Sequence, residues 1–335
     1  MDKYRGFAKA IVRLCATIII LISAPSYGDF SDNLRVSLDG SARLNNNSAA
    51  NNTSRIYALG IDTHKVFSST NGDIGYMVGQ LYLTKLSNQT PYSFLFNSPD
   101  DKQFVVREAH LNYTAGPKWF PNIRVGHFTL PFGLEASIDT NGRLLDYYHG
   151  KNLGTKLDWG LGFNKVLSHV EYEFSYTMGG KNEPKTIDSS YVFSGRIGSL
   201  NHYDFIIGVS FLDAKIDNIQ RKRFAIDWQY YWQTWGFLGE IAIGKDDKFQ
   251  KKWLEEKYSL LELNKTSISE HLKFYGQYIF TDREGEGTNQ QVINIGVSYQ
   301  IDADLELSLS SRKQLNTPGT GKKQDLTRFQ LRYRY

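Results

Sequence analysis

The chain has 335 residues, of which 41% are hydrophobic and 22% charged, and its mean hydropathy of -0.42 excludes a bundle of membrane helices, each of which needs about 20 consecutive apolar residues. Twenty-one Tyr, 20 Phe and 6 Trp beside 8 Pro exclude a disordered chain, which is poor in aromatics. A single Cys excludes a disulfide framework or thiolate cluster, and the formal charge of +4 has meaning only once its position is known.

That charge sits at the start. Lys3, Arg5, Lys9 and Arg13 precede an apolar run over 14–22, followed by small residues to Gly28 and then Asp29. Basic region, short apolar core and small residues predict a signal peptide, 1–28, cut after Gly28, with Ala24 as the alternative. Cys15 leaves with it. The remainder, 29–335, is almost balanced in charge and carries no basic run, so a nucleic-acid partner has no support.

From there the pattern has period two, as in strands with one apolar face. Leu34, Val36 and Leu38 alternate with Arg35, Ser37 and Asp39; Phe205, Ile207, Val209 and Phe211 form a second such face, and Phe224, Ile226, Trp228, Tyr230 and Trp232 a third. Long polar gaps fall at 45–54, 87–102, 131–152, 179–188, 214–221, 246–252, 282–289 and 316–325, and short turns near 68–72, 116–121, 164–167, 199–202, 233–235, 264–268 and 301–304. Long and short alternate strictly if 253–263 is a strand. The last strand keeps Phe329, Leu331, Tyr333 and Tyr335 on one face and Arg328, Gln330, Arg332 and Arg334 on the other, the form read by the barrel-assembly machinery of the outer membrane. Trp119, Phe120, Phe163, Tyr203, Trp232 and Trp235 gather at the short-turn side, where amphipathic rings sit at the headgroups of the lipid. The predicted fold is all-β: a transmembrane antiparallel barrel of sixteen strands, twelve being the lower bound, with both ends periplasmic.

The stretch Arg107-Glu108-Ala109-His110-Leu111-Asn112-Tyr113, followed by Ile123-Arg124-Val125-Gly126-His127-Phe128-Thr129-Leu130-Pro131-Phe132-Gly133-Leu134-Glu135, resembles the phosphate-selective porin O and P family. Segments 153–160 and 257–263 are similar to later strands of that family. The resemblance covers roughly 103–178 and is scattered afterwards. Two positions depart from the family signature: His127 stands for Gln and Thr129 for Lys, and the lost Lys bears on anion specificity. The resemblance implies a homotrimeric sixteen-stranded channel of the outer membrane.

Physically, Pro131 cannot donate to a ladder, so the strand from Asn122 ends there. Gly133 then lets the chain bend into 131–152, a loop long enough to fold into the lumen. Glu135, Asp139, Arg143, Asp146, His149 and Lys151 are its candidates for a constriction, with solvated extracellular charges as the other reading. On the strands, the less apolar faces make Arg35, Arg124, Lys156, Arg196, Arg223, Lys257, His271, Lys273, Arg312, Arg328, Arg332 and Arg334 the basic lining candidates. The acidic ones are Asp39, Asp62, Glu108, Asp158, Glu171, Glu173, Asp204, Asp227, Glu240 and Glu306. A cation at the bilayer midplane costs about 2–4 kcal/mol, so these belong in water. Segregated on opposite walls they create a transverse field; intermixed, they pair. His149 near Asp146 has no accompanying nucleophile, and His202 lies in a turn on the wrong side, so an enzyme is not expected. The histidines lack metal-ligand spacing and 160–162 lacks a nucleotide-loop pattern, so neither metal nor cofactor is expected. The expectation is a channel for passive diffusion of small hydrophilic solutes, with anions favoured, and a closed structural or adhesive barrel is the alternative.

Overall fold

A strand whose alternate residues are apolar can bury neither face alone, and closing the sheet on itself removes both edges. The computed structural model of the chain adopts that solution. It describes residues 32–48, 51–70, 72–87, 102–138, 142–147, 156–186, 189–200, 204–216, 218–247, 253–284, 289–316 and 325–335; the expected signal segment 1–28 lies outside them. Sixteen strands form one closed antiparallel barrel in which each pairs with its neighbours in sequence and β1 closes on β16. They are β1 Leu34–Asn47, β2 Asn52–Ser69, β3 Gly72–Ser87, β4 Lys102–Tyr113, β5 Asn122–Thr129, β6 Leu157–Val166, β7 Val170–Thr177 and β8 Tyr191–Ser199. The second half comprises β9 Phe205–Ile216, β10 Ile219–Trp232, β11 Trp235–Asp247, β12 Trp253–Thr266, β13 Leu272–Arg283, β14 Gln290–Gln300, β15 Leu305–Asn316 and β16 Leu326–Arg334. The segment whose parity required a strand is β12.

Two connections are shorter than their polarity suggests. β1 runs to Asn47 and β2 starts at Asn52, so most of 45–54 is strand. Likewise β9 and β10 meet across 217–218 alone, so 214–221 is a tight hairpin with Asn218 at φ 62. In both places the strand continues past the apolar stripe, where neither face needs to be apolar and the sequence therefore looks like loop.

Alternation sorts the two faces as expected. Val36, Ile207, Val209, Phe224, Ile241, Ile295, Leu309, Phe329 and Leu331 are exposed on the outside. Asp39, Asp62, Arg196, Asp227, Asn294, Arg312, Arg328 and Gln330 are buried on the inside.

Among the described residues the ladder between β4 and β5 is cut short. β4 pairs with β5 only from Ala109↔His127 to Tyr113↔Ile123, because β5 stops at Thr129 and the chain leaves the wall at Leu130. The upper part of β4 is thus left without a β5 partner. Asn182, from the β7–β8 connection, takes that place: its Oδ1 accepts from the Val106 N–H (2.8 Å) and its Nδ2 donates to the Phe104 carbonyl (3.3 Å). Asp158 accepts from the N–H groups of Gly179 and Lys181 and so holds the start of the same connection. One amide side chain thus satisfies both a donor and an acceptor of the open edge.

Candidate functional site

The segment between β5 and β6 is built around apolar residues. Leu130, Phe132 and Leu134 are fully buried and pack with Val192, Leu212, Ala214, Ile216, Ala225, Leu238, Ala242, Tyr258, Leu260, Ile279 and Val292, which face inward from β8 to β14. Inside this barrel, therefore, a broad apolar patch on the wall meets an apolar face of the connection. Burying side chains of this size contributes about 1.5–3 kcal/mol each.

Polar contacts fix the path. Gly133 N–H donates to Ser210 Oγ (3.0 Å) and Leu134 N–H to Glu240 Oε2 (2.8 Å). Leu134–Ala136 forms a single 3-10 turn, and Ser137 Oγ accepts from Gln229 (2.8 Å). Further on, Gln330 donates to the Gly142 carbonyl, and Tyr275 and Asn294 donate to the Leu144 carbonyl. The Asp146 N–H donates to Gln277 (2.9 Å) and the Tyr147 hydroxyl to Glu262 (3.0 Å). Burial pushes the Tyr147 hydroxyl well above its ordinary pKa, so it remains a donor. Every partner here faces inward, from β9 around to β16. Two glycines make the close approach possible: at Gly133 (φ 64) a Cβ would lie 2.6 Å from Glu240 Oε2, and at Gly142 (φ 67) it would meet the Arg332 guanidinium.

The signature residues thus serve as anchors. Phe132 fills the apolar patch, Gly133 and Leu134 meet Glu240, and Glu135 pairs with Lys156 at 2.7 Å. Arg124 pairs with Glu173 (2.6 Å) and lies over the Phe128 ring, 5.5 Å from its centroid. The two departures are satisfied locally: His127 lies against Trp159, with centroids 5.1 Å apart and planes tilted by 35°, and contacts the Lys181 carbonyl, while Thr129 donates to Glu108.

Charges inside are both paired and segregated. From β13 through β16 to β1, Lys273, Arg283, Arg312, Arg328, Arg332, Arg334, Arg35 and Arg43 face inward against Glu306 and Asp39. From β2 to β12 the acids dominate: Asp62, Glu108, Asp158, Glu171, Glu173, Asp227, Glu240, Asp246, Glu256 and Glu262 face Arg124, Arg196, Arg221 and Arg223. Within these walls Arg196 pairs with Asp227 (2.7 Å), Arg223 with Glu256 (2.5 Å), Arg332 with Asp39 (2.6 Å) and Arg334 with Asp62 (3.0 Å). Asp146 of the connection bridges Arg312 and Arg328, each at 3.1 Å. Arg43 differs: its guanidinium donates to Gln330 Oε1 (2.8 Å from Nε) and has no carboxylate partner among the described residues.

Of the candidates read from the sequence, Arg124, Glu135, Asp146, Lys156, Arg196, Arg223 and Arg328 are ion-paired inside the barrel. Arg143 is exposed and stands near Lys273, which faces inward. Asp139, His149 and Lys151 lie outside the described residues, as do His202 and Tyr203. Lys257 is misplaced: it faces outward with Leu261 and Leu263, opposite Ile243 and Asp282, while Glu256, Tyr258, Leu260 and Glu262 point inward. The reason is the apolar patch. Tyr258 and Leu260 are apolar because they touch the connection rather than lipid, which makes the wrong face of β12 look polar. The same error hid Glu262. Arg43 shared the inward parity of Arg35 and Asp39 and was legible from alternation.

No family model matches this sequence, and no curated protein does. Structural similarity is plain nonetheless: the barrel is the sixteen-stranded fold of outer-membrane porins. An anion-selective porin from Comamonas acidovorans superimposes with a TM-score of 0.66 at 12% identity, over 90% of this chain and 100% of that one. OmpT, an outer membrane protein of Vibrio cholerae in its trimer form, gives 0.60 at 11% identity over 90% and 98%. The outer membrane channel DcaP of Acinetobacter baumannii gives 0.57 at 10% over 90% and 96%.

Proposed function

We propose that this protein is an outer-membrane porin, exported by the signal at 1–28, that admits small hydrophilic solutes through a water-filled lumen by passive diffusion. The observation that carries this reading is the combination of an apolar exterior with a charged interior onto which the described parts of the β5–β6 connection, 130–138 and 142–147, are laid. Glu135, Arg143 and Asp146 then form the described part of a constriction, with Asp139, His149 and Lys151 as its remaining candidates. The basic stretch from β13 to β1 beside the acid-rich remainder of the wall supports a transverse field and a preference for anions, and Arg35 and Arg43 are the inward guanidinium groups without a carboxylate partner among the described residues. Because most of the other arginines are paired, the expected preference is modest rather than that of a continuous phosphate ladder. The trimer form of one structural neighbour and the partial resemblance to phosphate-selective porins support a homotrimer. The C-terminal strand Phe329–Tyr335 is the segment offered to the barrel-assembly machinery.

A closed barrel is the second reading, favoured by the apolar packing of the connection against β8–β14. Planar-bilayer recordings under a salt gradient separate the two. Stepwise conductance with a reversal potential of the anion sign is expected; absence of steps would leave the closed barrel, and a cation sign would remove the anion preference.

A further inference from the structure

At the short-turn end of the barrel, on the wall the connection does not cover, lies an open groove of about 450 Å³ bordered by Asn33, Leu34, Arg35, His64, Val66, Ser68 and Asp73. Its volume falls in the range of small-ligand sites, about 300–1,000 Å³. Arg35 and His64 are directly opposed partners across β1 and β2, so their side chains share the inner face. Both are exposed. Arg35 has neither a carboxylate nor a hydrogen-bond partner among the described residues, unlike the paired arginines farther along the lumen. His64 is stacked on Tyr76 of the next strand, with centroids 5.7 Å apart and planes 28° from parallel. One ring face of His64 is therefore fixed against Tyr76, and the exposed imidazole offers a held flat surface rather than a free rotor.

We infer that this groove is a binding site for a small planar monocarboxylate, an aromatic acid, at the short-turn mouth of the barrel. The planar fork of Arg35 matches a carboxylate through two parallel hydrogen bonds. The His64–Tyr76 pair provides a platform for the ring, and Val66, on the same inner face of β2, supplies apolar lining beside it. Asp73 at the rim, which accepts from Ser68 at 2.6 Å, opposes a multiply charged anion and so disfavours phosphate against a monoanion with an apolar body. This site stands apart from the constriction and does not depend on the lumen conducting.

The test uses the purified full-length barrel in detergent with 4-fluorobenzoate as the probe, its binding followed by fluorine NMR, and with acetate and inorganic phosphate as competitors. Wild type is expected to bind fluorobenzoate more tightly than either competitor. Arg35→Ala is expected to weaken the probe at least ten-fold, and Arg35→Lys, which keeps the charge but loses the fork, several-fold. Because Arg35 is exposed and has no partner among the described residues, neither change strands another described group. His64→Ala is expected to bring fluorobenzoate down to the level of acetate. Unchanged binding in Arg35→Ala, or phosphate displacing the probe as readily as unlabelled benzoate does, would overturn the proposal. A barrel that binds the probe yet shows no bilayer conductance would sink the channel reading and leave this site standing; a conducting barrel that does not bind it would do the reverse.

Discussion

The inner wall divides into two regions that obey different rules. From β8 to β14 it carries Val192, Leu212, Ile216, Leu238, Leu260 and Ile279 toward the lumen, covered by Leu130, Phe132 and Leu134. From β1 to β4 the inward positions include Arg35, Asp39, Arg43, Asp62, His64, Glu108 and His110 beside Tyr82, Leu86 and Val105, with no comparable apolar cluster over them among the described residues. Polarity inside a barrel is thus set by what each position touches, protein or water, and not by being inside. The covered region behaves as a small protein core, and the uncovered one as a solvated or ion-paired surface.

The sharpest way to break this contrast is to put a charge into the covered region. Leu134→Asp buries a carboxylate among the apolar side chains and beside Glu240, a change expected to cost several kcal/mol and to release the connection from the wall. The predicted readout is a lower melting temperature of the folded, heat-modifiable form together with a larger unitary conductance. Phe132→Ala should cost about 3–5 kcal/mol by leaving a cavity, with the same two measurements moving less far. Gly142→Ala needs the Arg332 guanidinium to move from a residue at φ 67; about 1–3 kcal/mol of destabilisation is expected from thermal unfolding. Asp146→Asn removes a carboxylate shared by Arg312 and Arg328, and reversal potentials under a salt gradient should shift toward anions by a clear margin. At the small end stands Lys257→Ala. Being exposed on the outside, it should leave unitary conductance and selectivity unchanged and alter stability by no more than about 0.5 kcal/mol.

The strands were legible because alternation is a direct consequence of a two-faced sheet, and the parity of long and short gaps recovered β12 even though its apolar residues lie on both faces. The same parity could not see how far strands extend beyond lipid. There Asn45 and Ser54 pair across β1 and β2 as inward polar residues, and nothing in their chemistry distinguishes them from a loop. The signature around Pro131 was readable as an exit from the wall, yet its partners were not: Ser210, Glu240, Glu262, Gln277 and Asn294 come from five separate strands and meet only after closure. Nor could sequence foresee that Asn182 would complete the open edge of β4, since the gap exists only because the chain leaves the wall.

The central claim is that the lumen is water-filled and narrowed by the connection packed on its β8–β14 wall. Single-channel recording of wild type beside Leu134→Asp tests it most directly: stepwise conductance in wild type, with larger steps in the variant, is the predicted result. Absence of steps in both, or identical unitary conductance in two folded barrels, would contradict it.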